Sequence, residues 1–123
     1  MSTIISGTNG VTFPDSTSMQ TGQQACKAWV NFNGTGTVAI RAQYNVSSIT
    51  DNGTGDYTVN FTTAMVDADY ADVITLSNIS SNIGSMRRSS SSVGLPTTTS
   101  RRFQCFDAAG FEDQEIVTVA IFS

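Results

Sequence analysis

Apolar and polar residues alternate in several short runs of this chain, which is the pattern of half-buried β-strands. Residues 28–33 alternate, residues 37–46 form the longest alternating run, and residues 57–62 alternate again. A segment dense in Asn, Asp and Gly, residues 51–56, separates the last two runs and is typical of a turn. Together these segments predict a strand-turn-strand meander. The apolar positions of the longest run, which we expect to face the core, are Val38, Ile40, Ala42, Tyr44 and Val46.

Three further segments, residues 72–76, 101–107 and 115–123, also have the composition of strands. Residues 116–122 are almost all apolar, so we expect that strand to be central in its sheet and covered on both faces. Residues 68–72 are compatible with a single helical turn, and other helix signals are almost absent. The sequence therefore predicts an all-β fold, a compact antiparallel β-sandwich of about six to eight strands.

The N-terminal part of the chain differs from the rest in composition. Residues 1–24 are polar and rich in Gly, Ser and Thr, with one short apolar anchor at residues 11–14. Such a segment buries little surface by itself, so we expect an extended linker or attachment segment, either a flexible tail or part of a thin multi-chain shaft. Residues 25–123 are expected to form the β-sandwich domain. We expect no signal peptide and no membrane insertion, because the N-terminus lacks a basic region and no stretch approaches the ~20 apolar residues of a membrane span.

Composition and charge exclude several classes of function. The chain has no His, which excludes Ser-His-Asp triads, His-ligated zinc and His general bases. A net charge of −4 argues against a nucleic-acid partner. Charged residues make up 13% of the chain, and 16 Ser and 17 Thr supply much of its polar surface instead. The two cysteines, Cys26 and Cys105, allow one disulfide at most, and we expect them to be reduced and buried.

Arginines cluster around a long polar stretch, residues 77–100, which holds nine of the sixteen serines. A stretch of this length is expected to be functional or mobile, or to contain a short hairpin. Because the arginine fork binds carboxylates and phosphates, one interpretation is a receptor-binding patch for an anionic group on a host surface. In the other interpretation the arginines pair with Asp residues of the same or a neighbouring chain, or are simply solvated. The candidate receptor-binding residues are Arg87, Arg88, Ser89, Arg101 and Arg102.

Acidic residues raise the question of glycoside hydrolysis, which needs two carboxylates at about 5–9 Å from each other. Both acidic groups of this chain lie in turn-like segments, where such side chains are normally solvated. The chain is also short for the deep cleft that such sites occupy, so we predict no catalytic residue. The two groups are Asp67, Asp69 and Asp72, and Glu112, Asp113 and Glu115.

Two other features have both a functional and a structural interpretation. Asp51, Asn52 and Asp56 offer oxygen ligands for calcium. Their spacing is that of a hairpin turn and not of an EF-hand, so we predict no metal and no cofactor. Trp29 is a candidate for stacking on a sugar ring, but we favour its packing against a neighbouring chain or a second sheet.

Two long motifs carry a resemblance to a known family. They are residues 27–41, KAWVNFNGTGTVAIR, and residues 45–61, NVSSITDNGTGDYTVNF, which resemble a C-terminal module of the tail fibre proteins of tailed bacteriophages. Residues 11–15 are similar to the short linker before such modules, and residues 119–122 are similar to their closing strand. The resemblance implies a homotrimeric, β-rich virion protein that lies distally on a fibre, contacts the host surface and has no catalytic residues.

We therefore predict a non-enzymatic bacteriophage fibre component that mediates attachment to the host-cell surface. The alternative is a structural virion protein, such as a head fibre or decoration protein, without a receptor of its own; an enzyme that acts on polysaccharide is less favoured than either. Expected partners are identical copies in a homotrimer, other virion proteins through the N-terminal segment, and a host-surface glycan or outer-membrane structure at residues 77–100. The expected location is the tail or capsid surface of the virion, after synthesis in the host cytoplasm. A trimer would cover hydroxyl-rich sheet edges and multiply a weak contact.

Overall fold

The structure, a computed structural model, describes residues 4–6, 10–19, 25–77, 85–88, 94–107 and 110–123. All regular elements in these ranges are β-strands, and the all-β prediction is therefore confirmed. The helical turn considered for residues 68–72 is wrong, because residues 66–68 are bends and a strand begins at Ala71. Among the described residues there is accordingly no helix long and apolar enough to cross a membrane.

The strands are numbered in chain order. The first are β1 (Ile4–Ser6), β2 (Gly10–Thr12) and β3 (Ser18–Met19). The middle of the chain forms β4 (Cys26–Asn33), β5 (Ala39–Tyr44), β6 (Val46–Gly53), β7 (Asp56–Phe61) and β8 (Ala71–Ser77). The last part forms β9 (Ser85–Arg88), β10 (Ser100–Asp107), β11 (Gly110–Phe111) and β12 (Ile116–Phe122).

All pairings between these strands are antiparallel. The short strands β1, β2 and β3 pair in that order, so the described part of residues 1–24 forms a small sheet. One larger sheet has the strand order β5-β4-β12-β8 and is called the four-stranded sheet. The other has the order β11-β10-β7-β6, with β9 also paired to β10, and is called the five-stranded sheet. Two antiparallel sheets of this kind are consistent with a β-sandwich.

The two larger sheets contribute to one hydrophobic core. Val30, Phe32 and Val119 come from the four-stranded sheet, whereas Tyr57 and Phe103 come from the five-stranded sheet. The ring of Phe32 meets the ring of Tyr57 edge to face, with the ring centroids 5.3 Å apart. Burial of a large apolar side chain stabilises a fold by about 1.5–3 kcal/mol, so the inward rows of β4, β7, β10 and β12 hold the two sheets together.

The longest alternating run does not form one strand. It divides at Asn45, whose φ of 56° lies in the left-handed region, so that β5 belongs to the four-stranded sheet and β6 to the five-stranded sheet. The side-chain amide of Asn45 donates to the carbonyl oxygens of Lys27 (3.0 Å) and Thr63 (3.1 Å), and its Oδ1 accepts from the N–H of Thr63 (2.7 Å). Asn tolerates this backbone conformation better than most residues. The prediction of a single strand over residues 37–46 is wrong because the chain changes sheets at this corner.

The prediction that the apolar residues of this run face the core is correct only near the two ends of the run. Val46 is buried, and Val38 is partly buried against the core. Ile40, Ala42 and Tyr44 lie on β5, an edge strand of its sheet, and all three are exposed. The alternating pattern therefore identified strand structure here but not burial.

β12 lies between β4 and β8, so the prediction of a central strand is confirmed. Its inward residues, Val117, Val119 and Ile121, are buried. On its other face Ala120 is only partly buried and Phe122 is exposed. The prediction that both faces are covered is wrong for a single chain, because no element of this chain's described residues lies over that outer face.

The polar stretch of residues 77–100 contains a strand. Its residues 85–88 form β9, which pairs with β10 of the five-stranded sheet. Residues 78–84 and 89–93 lie outside the described residues. Residues 85–88 of this stretch are therefore a strand at the edge of the five-stranded sheet. For residues 78–84 and 89–93 the alternatives of a functional or mobile segment or a hairpin stay open.

Both cysteines are free thiols. Cys105 is buried in the core and Cys26 is partly buried, with its Sγ–H donating to the carbonyl oxygen of Ala28 at 3.1 Å. Burial raises the pKa of the Cys105 thiol to about 12, so this group is protonated at neutral pH. The prediction of reduced cysteines agrees with this structure.

Candidate functional site

Arg101 and Arg102 are neighbours on β10, and their side chains point to opposite faces of the five-stranded sheet. The side chain of Arg101 is 1% exposed, and its Nε donates to Oδ2 of Asp72 on β8 at 3.0 Å. Its guanidinium also donates to the carbonyl oxygen of Arg102. Because this charge is buried and paired within the chain, an external ligand cannot reach it. We therefore remove Arg101 from the candidate receptor-binding residues.

Arg102 lies on the outer face and forms a two-pronged ion pair with Asp56. Its Nε and Nη2 each donate to one carboxylate oxygen of Asp56 at 2.8 Å, and Nε2 of Gln104 donates to the same carboxylate at 3.0 Å. The hydrogen bonds from Arg102 lower the pKa of Asp56, and this contact raises the pKa of Arg102 in turn. The side chain of Arg102 is 35% exposed, so it remains accessible on this face.

The other predicted arginines lie on the neighbouring strand. In the register between β9 and β10, Arg87 is paired with Gln104 and Arg88 with Phe103. The sheet thus brings the backbone of Arg87 next to a residue that binds Asp56. The side chains of Arg87 and Arg88, and the whole of Ser89, lie outside the described residues, so their part in a receptor contact stays a prediction.

Hydroxyl and amide side chains continue this outer face across β6 and β7. The amide of Asn60 donates to the hydroxyls of Ser48 (3.1 Å) and Thr50 (2.9 Å), and the amide of Asn52 donates to the hydroxyl of Thr58 (2.8 Å). These are cross-strand contacts between neighbouring register positions. Together with the ion pair they form what we call the polar face, which consists of Ser48, Thr50, Asn52, Asp56, Thr58, Asn60, Arg102 and Gln104.

The polar face presents prearranged donors and acceptors to a partner. Because its side chains already bind one another, they lose little conformational freedom when a ligand arrives. Its carboxylate, Asp56, is held in the charged form by Arg102 and is therefore a poor proton donor at neutral pH. The arrangement suits binding of a hydroxyl-rich or amide-rich ligand better than proton transfer.

Two of the other acidic residues singled out from the sequence, Asp113 and Asp72, hold parts of the fold together. Oδ1 of Asp113 accepts from the N–H of Gly55 at 2.7 Å and lies 2.8 Å from the hydroxyl of Tyr57, whose pKa is raised by burial. Asp72 pairs with Arg101. Over the described ranges, no cluster of three or more His, Cys, Asp or Glu residues could hold a metal ion.

Sequence reasoning missed most of the polar face. The signal was present, since Ser48, Thr50 and Asn52 occupy every second position of β6 and Thr58 and Asn60 do so on β7. What was missing was the register, because only the pairing of Ser48 with Asn60 and of Thr50 with Thr58 brings these positions together.

The outer face of the four-stranded sheet has the opposite character. One row of register partners runs across all four strands: Tyr44 pairs with Trp29, Trp29 with Ala120, and Ala120 with Val73. We call these four residues the apolar row; Trp29 is 40% exposed, Val73 54% and Tyr44 56%. The exposed ring of Phe122 lies two positions along β12 from Ala120. Trp29 therefore does not pack against the second sheet of its own chain, and of the two structural contacts favoured for it, the neighbouring chain remains.

Comparisons with known proteins assign neither a family nor a function to this chain. A scan against protein-family models, a search of the curated proteins and a search of the solved structures each found no match. The functional inference therefore rests on the side chains described above and on the resemblance of residues 27–61 to phage fibre modules.

Proposed function

We propose that this chain is a non-enzymatic component of a bacteriophage fibre and that it attaches the particle to the surface of the host cell. The proposal rests on the polar face, where uncharged hydroxyl and amide groups surround a single ion pair on one side of a sheet. In this proposal three copies of the β-sandwich form a homotrimer that presents the polar face outward. The homotrimer joins other virion proteins through residues 1–24.

The chemistry of the polar face fits a glycan. Saccharides expose many hydroxyl groups, each of which both donates and accepts hydrogen bonds. The exposed hydroxyls of Ser48 and Thr50 and the guanidinium of Arg102 are complementary to such groups. A single contact of this kind is weak, but three copies on one fibre raise the overall affinity through effective concentration.

The apolar row supports self-association. Trp29 and Val73 are exposed apolar residues of this row, and covering them removes apolar surface from water at about 25 cal/mol per Å². Every copy of the chain carries the same row, so three copies that turn it toward a common three-fold axis cover it together. Assembly through one sheet leaves the polar face of the other sheet open to a ligand.

The structural alternative, a virion protein without its own receptor, is favoured by one observation. The ion pair between Arg102 and Asp56 is satisfied within the chain by two hydrogen bonds of 2.8 Å, as in a purely structural contact. In that case the polar face is a solvated surface, and substitutions in it leave attachment of the particle to the host unchanged.

A microarray of purified bacterial surface polysaccharides separates the two functions. We expect the labelled wild-type protein to bind a subset of the polysaccharides, and the double variant Thr50→Ala/Asn60→Ala to lose at least about tenfold in affinity, equal to about 1.4 kcal/mol. The matched control is Thr37→Ala, an exposed loop threonine outside the polar face, which is expected to bind as the wild type does. Equal binding of the double variant and the wild type contradicts a role for the polar face. No binding by folded wild-type protein favours the structural alternative.

A further inference from the structure

A groove of about 570 Å³ lies at the corner where the chain crosses from one sheet to the other. It is lined on one side by residues near the end of β5 and on the other by the segment that follows β7. The volume falls within the range of about 300–1,000 Å³ that small-molecule sites occupy. The lining residues that carry the argument are Lys27, Gln43, Tyr44, Thr62, Thr63 and Val66. None of them belongs to the polar face.

The walls of this groove are fixed by hydrogen bonds of the backbone and of Asn45. Asn45 ties Lys27 to Thr63 through its side chain, and its own carbonyl oxygen accepts from the N–H of Thr62 at 3.1 Å. On the far wall the N–H of Met65 donates to the carbonyl oxygen of Thr98 at 2.7 Å. A site whose walls are held before the ligand arrives binds with a smaller entropic cost.

The polar groups in the groove are mostly uncharged. Oε1 of Gln43 accepts from the N–H of Val46 at 3.1 Å, which orients the amide and leaves its Nε2 hydrogens as donors. The hydroxyls of Thr62 and Thr63 add groups that donate and accept. Lys27 brings three further N–H donors, and no carboxylate of the described residues forms an ion pair with it.

Two residues give the groove exposed apolar surface. Tyr44 is more than half exposed, and Val66, also in the lining, is almost fully exposed. A hexose has one face of C–H groups and a rim of hydroxyls, so it matches an aromatic ring beside amide and hydroxyl groups. Tyr44 is the member of the apolar row that lies on the edge strand β5, so its ring stays open to the groove when other copies cover only Trp29, Ala120 and Val73.

We propose that this groove binds one neutral hexose unit of a surface glycan, with the sugar ring on Tyr44 and its hydroxyls toward Gln43, Thr62 and Lys27. The proposal rests on the attachment function, since it names a second contact for the same class of ligand. The uncharged amide and hydroxyl groups of the lining match the hydroxyls of a neutral hexose, and Lys27 adds further N–H donors to them.

The test is an NMR titration of ¹⁵N-labelled protein with the methyl glycosides of glucose, galactose, mannose and N-acetylglucosamine. Single-sugar contacts are weak, so the probes are added up to about 50 mM, which detects a Kd on the order of 1–10 mM. We expect at least one probe to shift the amide signals of Tyr44, Thr62, Thr63 and Val66. Tyr44→Ala is expected to weaken that binding at least about tenfold, whereas Tyr44→Phe keeps the ring and the binding. Because Tyr44 is exposed, both variants are expected to fold, which a thermal unfolding curve checks.

Two outcomes contradict hexose binding in the groove without deciding whether the chain attaches the particle to its host. Shifts confined to the polar face and unchanged in Tyr44→Ala place the sugar elsewhere. No shift with any of the four probes removes the hexose site. In both cases the polysaccharide array still decides attachment, because its double variant changes only Thr50 and Asn60 and leaves every groove residue intact.

Discussion

On the outer face of the five-stranded sheet the polar side chains bind one another, whereas on the outer face of the four-stranded sheet the apolar row faces water. The inner faces of the two sheets are alike, since both supply apolar residues to one core. The inward positions of both sheets are therefore apolar, whereas the outward positions are polar in the five-stranded sheet and apolar along one row of the four-stranded sheet. This difference separates a surface whose polar groups are satisfied within one chain from a surface that leaves apolar side chains exposed.

Arg101 and Arg102, two adjacent residues of β10, show a similar contrast between the inner and the outer face of one sheet. Arg101 turns inward and is paired with Asp72 on the opposite sheet, whereas Arg102 turns outward and is paired with Asp56 on its own sheet. An ion pair cut off from water depends on both partners, because either charge alone is left without solvation. The outer pair is only partly shielded, since the side chain of Arg102 is 35% exposed and that of Asp56 12%, so water replaces part of a lost partner and we expect this pair to contribute less than the inner one.

The largest expected effect is at the inner pair. Asp72→Ala leaves the buried guanidinium of Arg101 without its carboxylate, and we expect a loss of about 3–5 kcal/mol in the free energy of unfolding. Urea unfolding followed by circular dichroism measures this loss. The matched control is Asp69→Ala, an exposed carboxylate, for which we expect a change within about 0.5 kcal/mol. Similar small losses in both variants contradict a structural role for the inner pair.

The next effect is on assembly through the apolar row. Val73→Glu places a charge in the row, and we expect it to weaken self-association by about 2 kcal/mol or more, which is a factor of about 30. Sedimentation equilibrium is expected to give three times 13.0 kDa for the wild type and a smaller average mass for the variant. Leu95→Glu changes an exposed apolar residue outside the row and is expected to keep the wild-type mass. A trimer that Val73→Glu leaves intact contradicts the row as the interface.

A smaller effect is expected at the outer pair, and it depends on pH. The pKa of Asp56 is lowered in the folded state, so its contribution is present above the unfolded-state pKa of about 3.9 and is lost as the pH falls through the folded-state value. Asp56→Asn is therefore expected to cost at most about 1 kcal/mol at pH 7, discounted because Arg102 is more than a third exposed, and less at a pH below the unfolded-state value. Unfolding curves at both pH values measure the difference, with the exposed Asp67→Asn as the control. An equal cost at the two pH values would show that the ion pair is not its source.

The smallest effect concerns a polar side chain in the interior. Gln114 is fully buried, and neither atom of its side-chain amide has a hydrogen-bond partner among the described residues. This contrasts with the outer polar face, where the amides of Asn52 and Asn60 are bound. We expect Gln114→Met, of similar size and without the amide, to raise the free energy of unfolding by about 0.5–1 kcal/mol, measured by urea unfolding. A loss of stability in this variant indicates that the amide has a partner after all.

Much of the strand content follows from the sequence, because alternation at residues 28–33 and 57–62 and the strand composition of residues 101–107 match β4, β7 and β10. The corner at Asn45 was not predictable from alternation, which continues through it while the backbone leaves the extended region. β9 was missed as a strand because its four residues, SMRR, carry no apolar alternation and depend on pairing with β10.

The candidate site was less predictable than the fold. The direction of Arg101 was available, since it shares its strand parity with Phe103 and Cys105, which are both buried. The partners of Arg102 were not, because Asp56 is 46 residues away in the chain and meets it only through the register of β7 and β10. Side-chain networks across strands require that register, which no single strand pattern contains.

The central claim is that Trp29, Ala120 and Val73 of the apolar row are covered by other copies of the chain while the polar face and Tyr44 stay open. Trp29 is the single tryptophan, so acrylamide quenching of its fluorescence reports directly on this row. We predict that Trp29 is protected in the wild type and that Val73→Glu, which retains the tryptophan, makes it accessible to the quencher. Equal and strong quenching in the two proteins, with a wild-type mass of 13.0 kDa, would contradict the account.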